Sequence, residues 1–317
     1  MKNRVGVDIG GTNIKIALIT NEGKILYSKT FPTEAEKGYE YTVANIKEEI
    51  KVLMTETEST SKTIETIGFG FPGQIDYKTG TVKVSTNIPG WNGVELAKII
   101  KDEFNIPAFV DNDVRCATLG EMKYGAGKGA QNLVCVTVGT GIGSGLVLNG
   151  KLYRGASNAA GEIGHIKLSD SNSAPLCGCG DFGCFEAYAS GPSIVAMAED
   201  YIRGGKATMY REMAKGEAIT PYIVFKAAEQ GDAVAIQIFK KIGEYLGLGL
   251  TNVINILNPD KIIIGGGIAA AGDLLFDPIR ETVNKRAMRI AREAVQIVPA
   301  ELGNTAGVMG AALLMDN

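Results

Sequence analysis

The chain has 317 residues, 45% hydrophobic and 21% charged, enough to fill the cores of about two domains of ~100–200 residues each. Its 32 Lys and Arg against 35 Asp and Glu give a net charge of −3, which argues against a nucleic-acid surface. No apolar run reaches the length of a membrane span, and the first apolar stretch is broken by Asp8, so neither a membrane anchor nor a signal peptide is expected and the expected compartment is cytoplasmic.

In chain order, RVGVDIGGTNIKIALITNEGKILYSKTF reads as consecutive hairpins, short β-rich runs parted by Gly-Gly-Thr and Asn-Glu-Gly turns. Val43, Ile46, Ile50 and Leu53 recur at helical spacing and predict a helix over 40–57. IETIGFGF predicts a strand over 64–71, ending at Pro72-Gly73, and a helix follows over 93–104. IPAFVDND predicts a strand closed by carboxylates, whose alternation puts Asp111 and Asp113 on one face and Asn112 on the other. Residues 132–138 and 144–149 read as a hairpin around Gly139-Thr-Gly-Ile-Gly143. The Gly- and Cys-rich stretch 155–191 shows little periodicity, and a loop that long inside a domain is usually functional. Beyond 192 the pattern is mainly helical, with a long apolar helix through 235–257. Strand IIIGGG, a helix over 273–292, strand VQIVPAEL and a small-residue helix in AGVMGAALLM complete the chain. Strands first, then alternating strands and helices, predict an α/β architecture with two sheets and a boundary near 115–120.

The glycine-rich turns match neither common nucleotide-binding loop. Gly145 to Lys151 approaches the G-x-x-x-x-G-K-[ST] pattern, but Leu152 stands where a hydroxyl would hold magnesium. Gly265, Gly267 and Ala270 fit dinucleotide-fingerprint spacing, yet no strand-end acid follows about 20 residues on. Together the turns read as a phosphate clamp. Asp8-Ile-Gly10-Gly11-Thr12-Asn13 forms one hairpin turn, and Gly139, Thr140, Gly141 and Gly143 form a second. Amides free of Cβ crowding can approach phosphate oxygens there, and Asp8 can hold magnesium directly or through water. Gly265, Gly266 and Gly267 form a third turn, on which a nucleoside can lie.

An odd count of five Cys without an export signal argues against a disulfide framework. Cys135, within LVCVTV, reads as a core residue and Cys116 as structural. Cys177, Cys179 and Cys184 crowd together after the sole histidine, His165, and complete a Cys3His set, a structural zinc pattern, although C-x-C is rarer than C-x2-C. Zinc would anchor a loop flanked by Glu162 and Glu186, whose carboxylates accept hydrogen bonds strongly. Phosphoryl transfer to a hydroxyl also needs a proton acceptor, and the residues alone leave Asp111 and Asp113 both open. Trp91, the single Trp, is open between stacking on a ligand and packing.

The ordered blocks DIGGT, STNIPGW (85–91), VDNDVRCATLGE (110–121), TVGTGIGSG, GEIGH (161–165), CGCGDFGCFE (177–186), GGG and LGNTAGVMGAA (302–312) resemble the ROK (repressor, open reading frame, kinase) family of the sugar-kinase/heat-shock-cognate/actin superfamily, across essentially the whole chain. The resemblance implies two ribonuclease-H-like α/β domains around a central cleft: 1–118, then 119–300 with the zinc loop, and a helix in 301–317 returning to the first. It implies ATP-dependent phosphorylation of a hexose, glucose foremost, with an N-acetylhexosamine or mannose kinase as the alternative. A sugar-sensing repressor is the other class, disfavoured by the negative charge and the lack of an N-terminal helix-turn-helix. By the same resemblance Asp113 is the general base, and Gly73, Asn87, Pro89, Gly90, Asn112, Asp113, Glu162, His165 and Glu186 meet the sugar. ATP falls to Asp8, Gly10, Gly11, Thr12, Asn13 and Lys15, to Gly139, Thr140, Gly141 and Gly143, and to Gly265, Gly266 and Gly267. Zinc falls to His165, Cys177, Cys179 and Cys184, magnesium to Asp8, and a homodimer or homotetramer is expected. Where the family usually continues E/D-N-D with Ala-Asn, this chain has Val114-Arg115, which leaves the packing beside the base open.

Overall fold

The computed structural model describes residues 2–85, 88–171 and 173–317. Contacts divide them into two compact units: Met1–Cys135 with Gly145–Ala160 and Ala300–Asn317, and Val136–Ser144 with Gly161–Pro299. The division differs from a boundary at 118, because helix 113–124 packs against the helix at 306–311 and stays whole within the first unit.

The first unit begins with β1 (Asn3–Ile9), β2 (Asn13–Ile19) and β3 (Ile25–Pro32), an antiparallel meander. Helix α1 (Tyr39–Glu56) crosses to β4 (Ile64–Phe71), parallel to β1. A ribbon of β5 (Gln74–Asp76) and β6 (Thr81–Val84), then α2 (Leu96–Phe104), lead to β7 (Ala108–Asn112), parallel to β4. Sheet order is β3-β2-β1-β4-β7. Period-two alternation sends Val5, Val7, Ile67 and Phe69 to one face, where they bury against Ile46, Ile50, Leu96 and Ile100 of α1 and α2.

Helix α3 (Asp113–Tyr124) starts directly after β7. The Asn112 side chain accepts from the amides of Val114 and Arg115 and so caps the helix, ending the strand one residue before Asp113. Asp111 and Asp113 therefore do not share a strand face: Asp113 is the first residue of a helix. This corrects the alternation argument.

Strands β8 (Leu133–Val138), β9 (Ile142–Leu148) and β10 (Lys151–Tyr153) open a second sheet. After a long irregular stretch come α4 (Phe185–Ala189), α5 (Gly191–Arg203), α6 (Met209–Met213), α7 (Pro221–Glu229) and α8 (Ala233–Leu257). Strand β11 (Lys261–Gly265), α9 (Asp273–Arg286), α10 (Arg289–Ala294), β12 (Gln296–Pro299) and α11 (Ala306–Ala311) follow. The second sheet runs β10-β9-β8-β11-β12, the same order as the first, with β9–β10 antiparallel and β11–β12 parallel like their counterparts. Helix α8, capped by Asp232, is the spine of the second unit and buries Ile238, Phe239, Ile242, Leu246, Leu250 and Ile254. The helix expected over 273–292 is two, broken at Ala287-Met288, where the Met288 amide turns to the Asn255 side chain. Among the described residues no helix is long and apolar enough to cross a membrane.

Candidate active site and metal centre

In the first unit, parallel pairing sets Asp8 of β1 beside Gly70 of β4 and Gly70 beside Asp111 of β7. Gly70 has no side chain, and the space a Cβ would take there lies 3.4 Å from both Asp8 Oδ1 and the Asp113 Cα. Asp8 and the start of α3 thus converge over a bare glycine. Burial, with the Asp113 carboxylate nearby, pushes the Asp8 carboxyl up to about 6, against the pull of Lys15. Burial also raises Asp113, in part offset by hydrogen bonds that include one from the Val114 amide at 2.9 Å. Asn112 Nδ2 donates to the Gly73 carbonyl at 3.3 Å, joining the residue before the acid to the turn after β4.

Asp8 leads into the first turn, where the Gly10 amide donates to Asn13 O at 3.0 Å and Thr33 Oγ1 to Gly10 O at 2.6 Å. Gly11, Thr12 and Asn13 are left exposed, and Lys15 Nζ donates to Asn304 O at 2.8 Å. Because the folded Asp8 pKa lies above its ordinary value of 3.8, the stabilisation is complete below pH ~4 and lost as pH rises through 6. Above that the buried charge costs about 3 kcal/mol. In chelator, Asp8→Asn should therefore melt at higher temperature than the parent at pH 8 but not at pH 4. Parallel melting curves across that range would show that Asp8 ionises without penalty.

Asp111 is fully buried and does different work. Its Oδ1 accepts from Arg115 at 3.2 Å and from the Asn112 amide at 2.8 Å, and its Oδ2 accepts from Arg154 Nε at 2.7 Å. Such saturation leaves little acceptor capacity for a substrate proton.

In the second unit, the Gly139–Ile142 turn is held from three sides. The Gly139 amide donates to Gly141 O at 2.9 Å, the Gly191 amide to Gly139 O at 2.7 Å, and the Ile142 amide to Glu186 Oε2 at 2.8 Å. Thr140 is left exposed at the tip. Gly266, at φ 87°, lies so close to Val138 that a Cβ would sit 2.7 Å from the Val138 amide nitrogen, so the second and third glycine turns touch. Between them opens a cavity of about 760 Å³ lined by Gly139, Thr140, Gly267 and Ile268, with Tyr222 and Phe225 of α7 opposite. The sequence missed the α5 and α7 walls: Thr220-Pro221 signals a helix start, but nothing in it tells which face meets the glycines. A Gly141→Val side chain would run into the Glu186 carboxylate, so the variant should weaken nucleotide binding and also displace Glu186. Calorimetry with a non-hydrolysable ATP analogue checks this, and unchanged affinity would remove Gly141 from the phosphate turn.

His165, Cys177, Cys179 and Cys184 lie together, their ligand atoms all within 4.8 Å of one another. The Cys179 and Cys184 sulfurs are 3.7 Å apart, and Cys177 Sγ is 3.8 Å from His165 Nδ1. Two sulfurs about 2.3 Å from a tetrahedral ion stand roughly 3.8 Å apart, so the donor set fits zinc in both chemistry and span. The loop is drawn in by backbone bridges Lys167–Cys184 and Leu176–Phe182. Lys167 Nζ lies 3.3 Å from Cys184 Sγ, a positive charge beside three thiols. Glu162, exposed, opens the short helical turn that carries His165, and Glu186 follows Cys184 into α4.

Pro89 and Gly90 are exposed on the turn beyond β6, and Asn87 lies outside the described residues. Trp91 is fully buried, its ring 4.9 Å from Phe71 and 6.1 Å from Tyr39, so it packs and does not stack on a ligand. Cys116 and Cys135 are buried as expected.

Comparison with known proteins places the whole chain in one family. Residues 4–317 match the ROK family. A glucokinase of Halalkalibacterium halodurans is 38% identical over 98% of this chain and 94% of its own. The crystal structure of a ROK family glucokinase from Streptomyces griseus, in complex with glucose and AMPPNP, is 33% identical with TM-score 0.79 and covers 98% of each chain. A ROK family transcriptional regulator, a homologue of the E. coli MLC protein, is 26% identical with TM-score 0.88 over 99% of this chain and 78% of that one. By a match that runs nearly end to end, over two sheets of the same strand order, the chain belongs to the ROK family.

Proposed function

We propose that the chain is an ATP-dependent hexose kinase that forms a sugar 6-phosphate, with glucose as its substrate. The observation that carries this reading is the convergence of Asp8 and Asp113 over Gly70, with Asn112 fixed beside them. A sugar-sensing regulator needs a sugar pocket but no proton acceptor, and backbone likeness alone does not separate the two classes. The 38% identical glucokinase relative supports the kinase and glucose.

Asp113 would accept the 6-hydroxyl proton as the alcohol attacks the γ-phosphorus in line, its raised pKa bringing it closer to the operating pH. Asn112, Gly73, Pro89, Gly90, Glu162, His165 and Glu186 would orient the hydroxyls, with Asn87 in the same role by resemblance. The Asp8–Asn13 turn with Lys15, and the Gly139–Gly143 turn, would take the phosphates, while Gly265–Gly267 and the adjoining cavity take the nucleoside. Magnesium held through Asp8 would spread the phosphate charge, and the acid pair over Gly70 suits a divalent cation. A coupled assay of glucose, mannose, fructose, N-acetylglucosamine and N-acetylmannosamine with ATP tests the reading. Glucose should give the highest kcat/KM; turnover of none, with a shift of operator DNA, would replace the kinase by the regulator.

Zinc on His165, Cys177, Cys179 and Cys184 would be structural, closing the loop that carries Glu186. About one zinc per chain should survive dialysis. Cys177→Ala should lose it and weaken glucose binding, whereas a dialysed protein with no zinc and full glucose affinity would leave the cluster as free thiols.

A further inference from the structure

We propose that Arg115 is a positioning residue of the sugar-phosphorylating site, an inference that rests on the kinase reading. Arg115 is the third residue of α3, two beyond the candidate base, and is only 4% exposed. A buried guanidinium needs partners for its fixed fork of donors, and here they come from two separate stretches of chain. Nη1 donates to Asp111 Oδ1 at 3.2 Å, while Nη2 donates to the carbonyls of Asn158 at 2.7 Å and Ala160 at 3.1 Å. The Arg115 amide meanwhile donates to the Asn112 side chain at 3.2 Å. One residue thus touches the strand end, the cap of α3 and the segment 158–160.

Asn158 in that segment has a positive φ of 62°, in the left-handed region, which costs a non-glycine residue energy. Directly after Ala160 the chain reads Gly161-Glu162, the start of the GEIGH block. Arg115 therefore ties the backbone that carries Asn112 and Asp113 to the backbone that leads into the next group of sugar-binding candidates. Arg154 completes the arrangement from the other side of Asp111, stacked on the Tyr77 ring at 4.3 Å and donating to Asn317 O at 3.1 Å. Among the described residues the Arg154 side chain donates to Asp111 and Asn317 and to neither 158–160 carbonyl, so it does not replace Arg115. Lys at 115 would keep the charge but lack the planar fork, and could satisfy one carbonyl at a time.

The test compares Arg115→Met and Arg115→Lys with the parent. It reads kcat, the glucose KM, the affinity for an ATP analogue without sugar, and the melting temperature. Misplacing reacting groups by about 1 Å can cost ~100-fold in rate. Arg115→Met should accordingly lose at least ~10-fold in kcat/KM for glucose, shared between kcat and KM, with analogue affinity within about twofold. Arg115→Lys should recover part of the loss, and it carries the test if the Met variant does not fold. A lower melting temperature with kcat and glucose KM both unchanged in the folded variants would reduce Arg115 to a structural role and overturn the proposal. A parent that phosphorylates no sugar in the same assay would bring down the kinase reading, and this inference with it.

Discussion

Asp113→Asn should lower turnover by about 10²–10⁴-fold, the usual contribution of a positioned general base. The amide keeps the size of the side chain and an oxygen for the Val114 amide, so the start of α3 need not move. Stability should hold or rise, since burial already disfavours the charge that the substitution removes. Glucose binding, followed by calorimetry, should survive because a hydroxyl can still bond the amide. Near-parental turnover would show that no base acts at this position and would leave positioning and charge stabilisation to supply the rate.

Asp111→Asn should show the opposite profile, a large loss of stability with far less loss of turnover in the folded fraction. Arg115 and Arg154 are 5% and 9% exposed in their side chains and share one carboxylate. Removing a partner from a buried ion pair costs about 3–5 kcal/mol, because the remaining charge is uncompensated. A fall in melting temperature on the order of 5–10 °C is expected. Should Asp111→Asn abolish turnover while Asp113→Asn keeps it, the proton acceptor is Asp111.

Much of the fold could be read from the chain because local signals and tertiary demands agree. The opening meander, α1, β4, α2 and the hairpin around Gly139–Gly143 all stand where apolar period and turn residues put them. The mirrored strand order of the two sheets is invisible in the sequence, because equivalent crossovers differ so much: α1 joins β3 to β4, whereas α4 through α8 intervene between β10 and β11. At Asn112-Asp113 strand alternation competes with helix capping, and in the structure the cap wins. An Asn followed by an acid and helix formers is a capping signal. The cluster of His165 with Cys177, Cys179 and Cys184 was legible because thiols and the sole histidine carry chemistry in their identity. The Arg115–Asp111–Arg154 group was not, since arginine is seldom buried and its partners are carbonyls far along the chain.

The first unit is threaded from three stretches of chain, and the last of them brings α11 against its sheet. Gly6 of β1 and Gly68 of β4 leave room for the backbone of that helix at Val308 and Ala311. In a growing polypeptide β1 and β4 emerge early, yet the part of this face around Gly6 and Gly68 stays uncovered until residue 306 appears. At 5–20 residues per second the delay from residue 71 is roughly 10–50 s. The unit begun first on the ribosome is therefore finished last, after every residue of the second has been made. The sheet patch that α11 covers is the surface a nascent-chain chaperone would meet, and clipping α11 from the finished protein would expose it again.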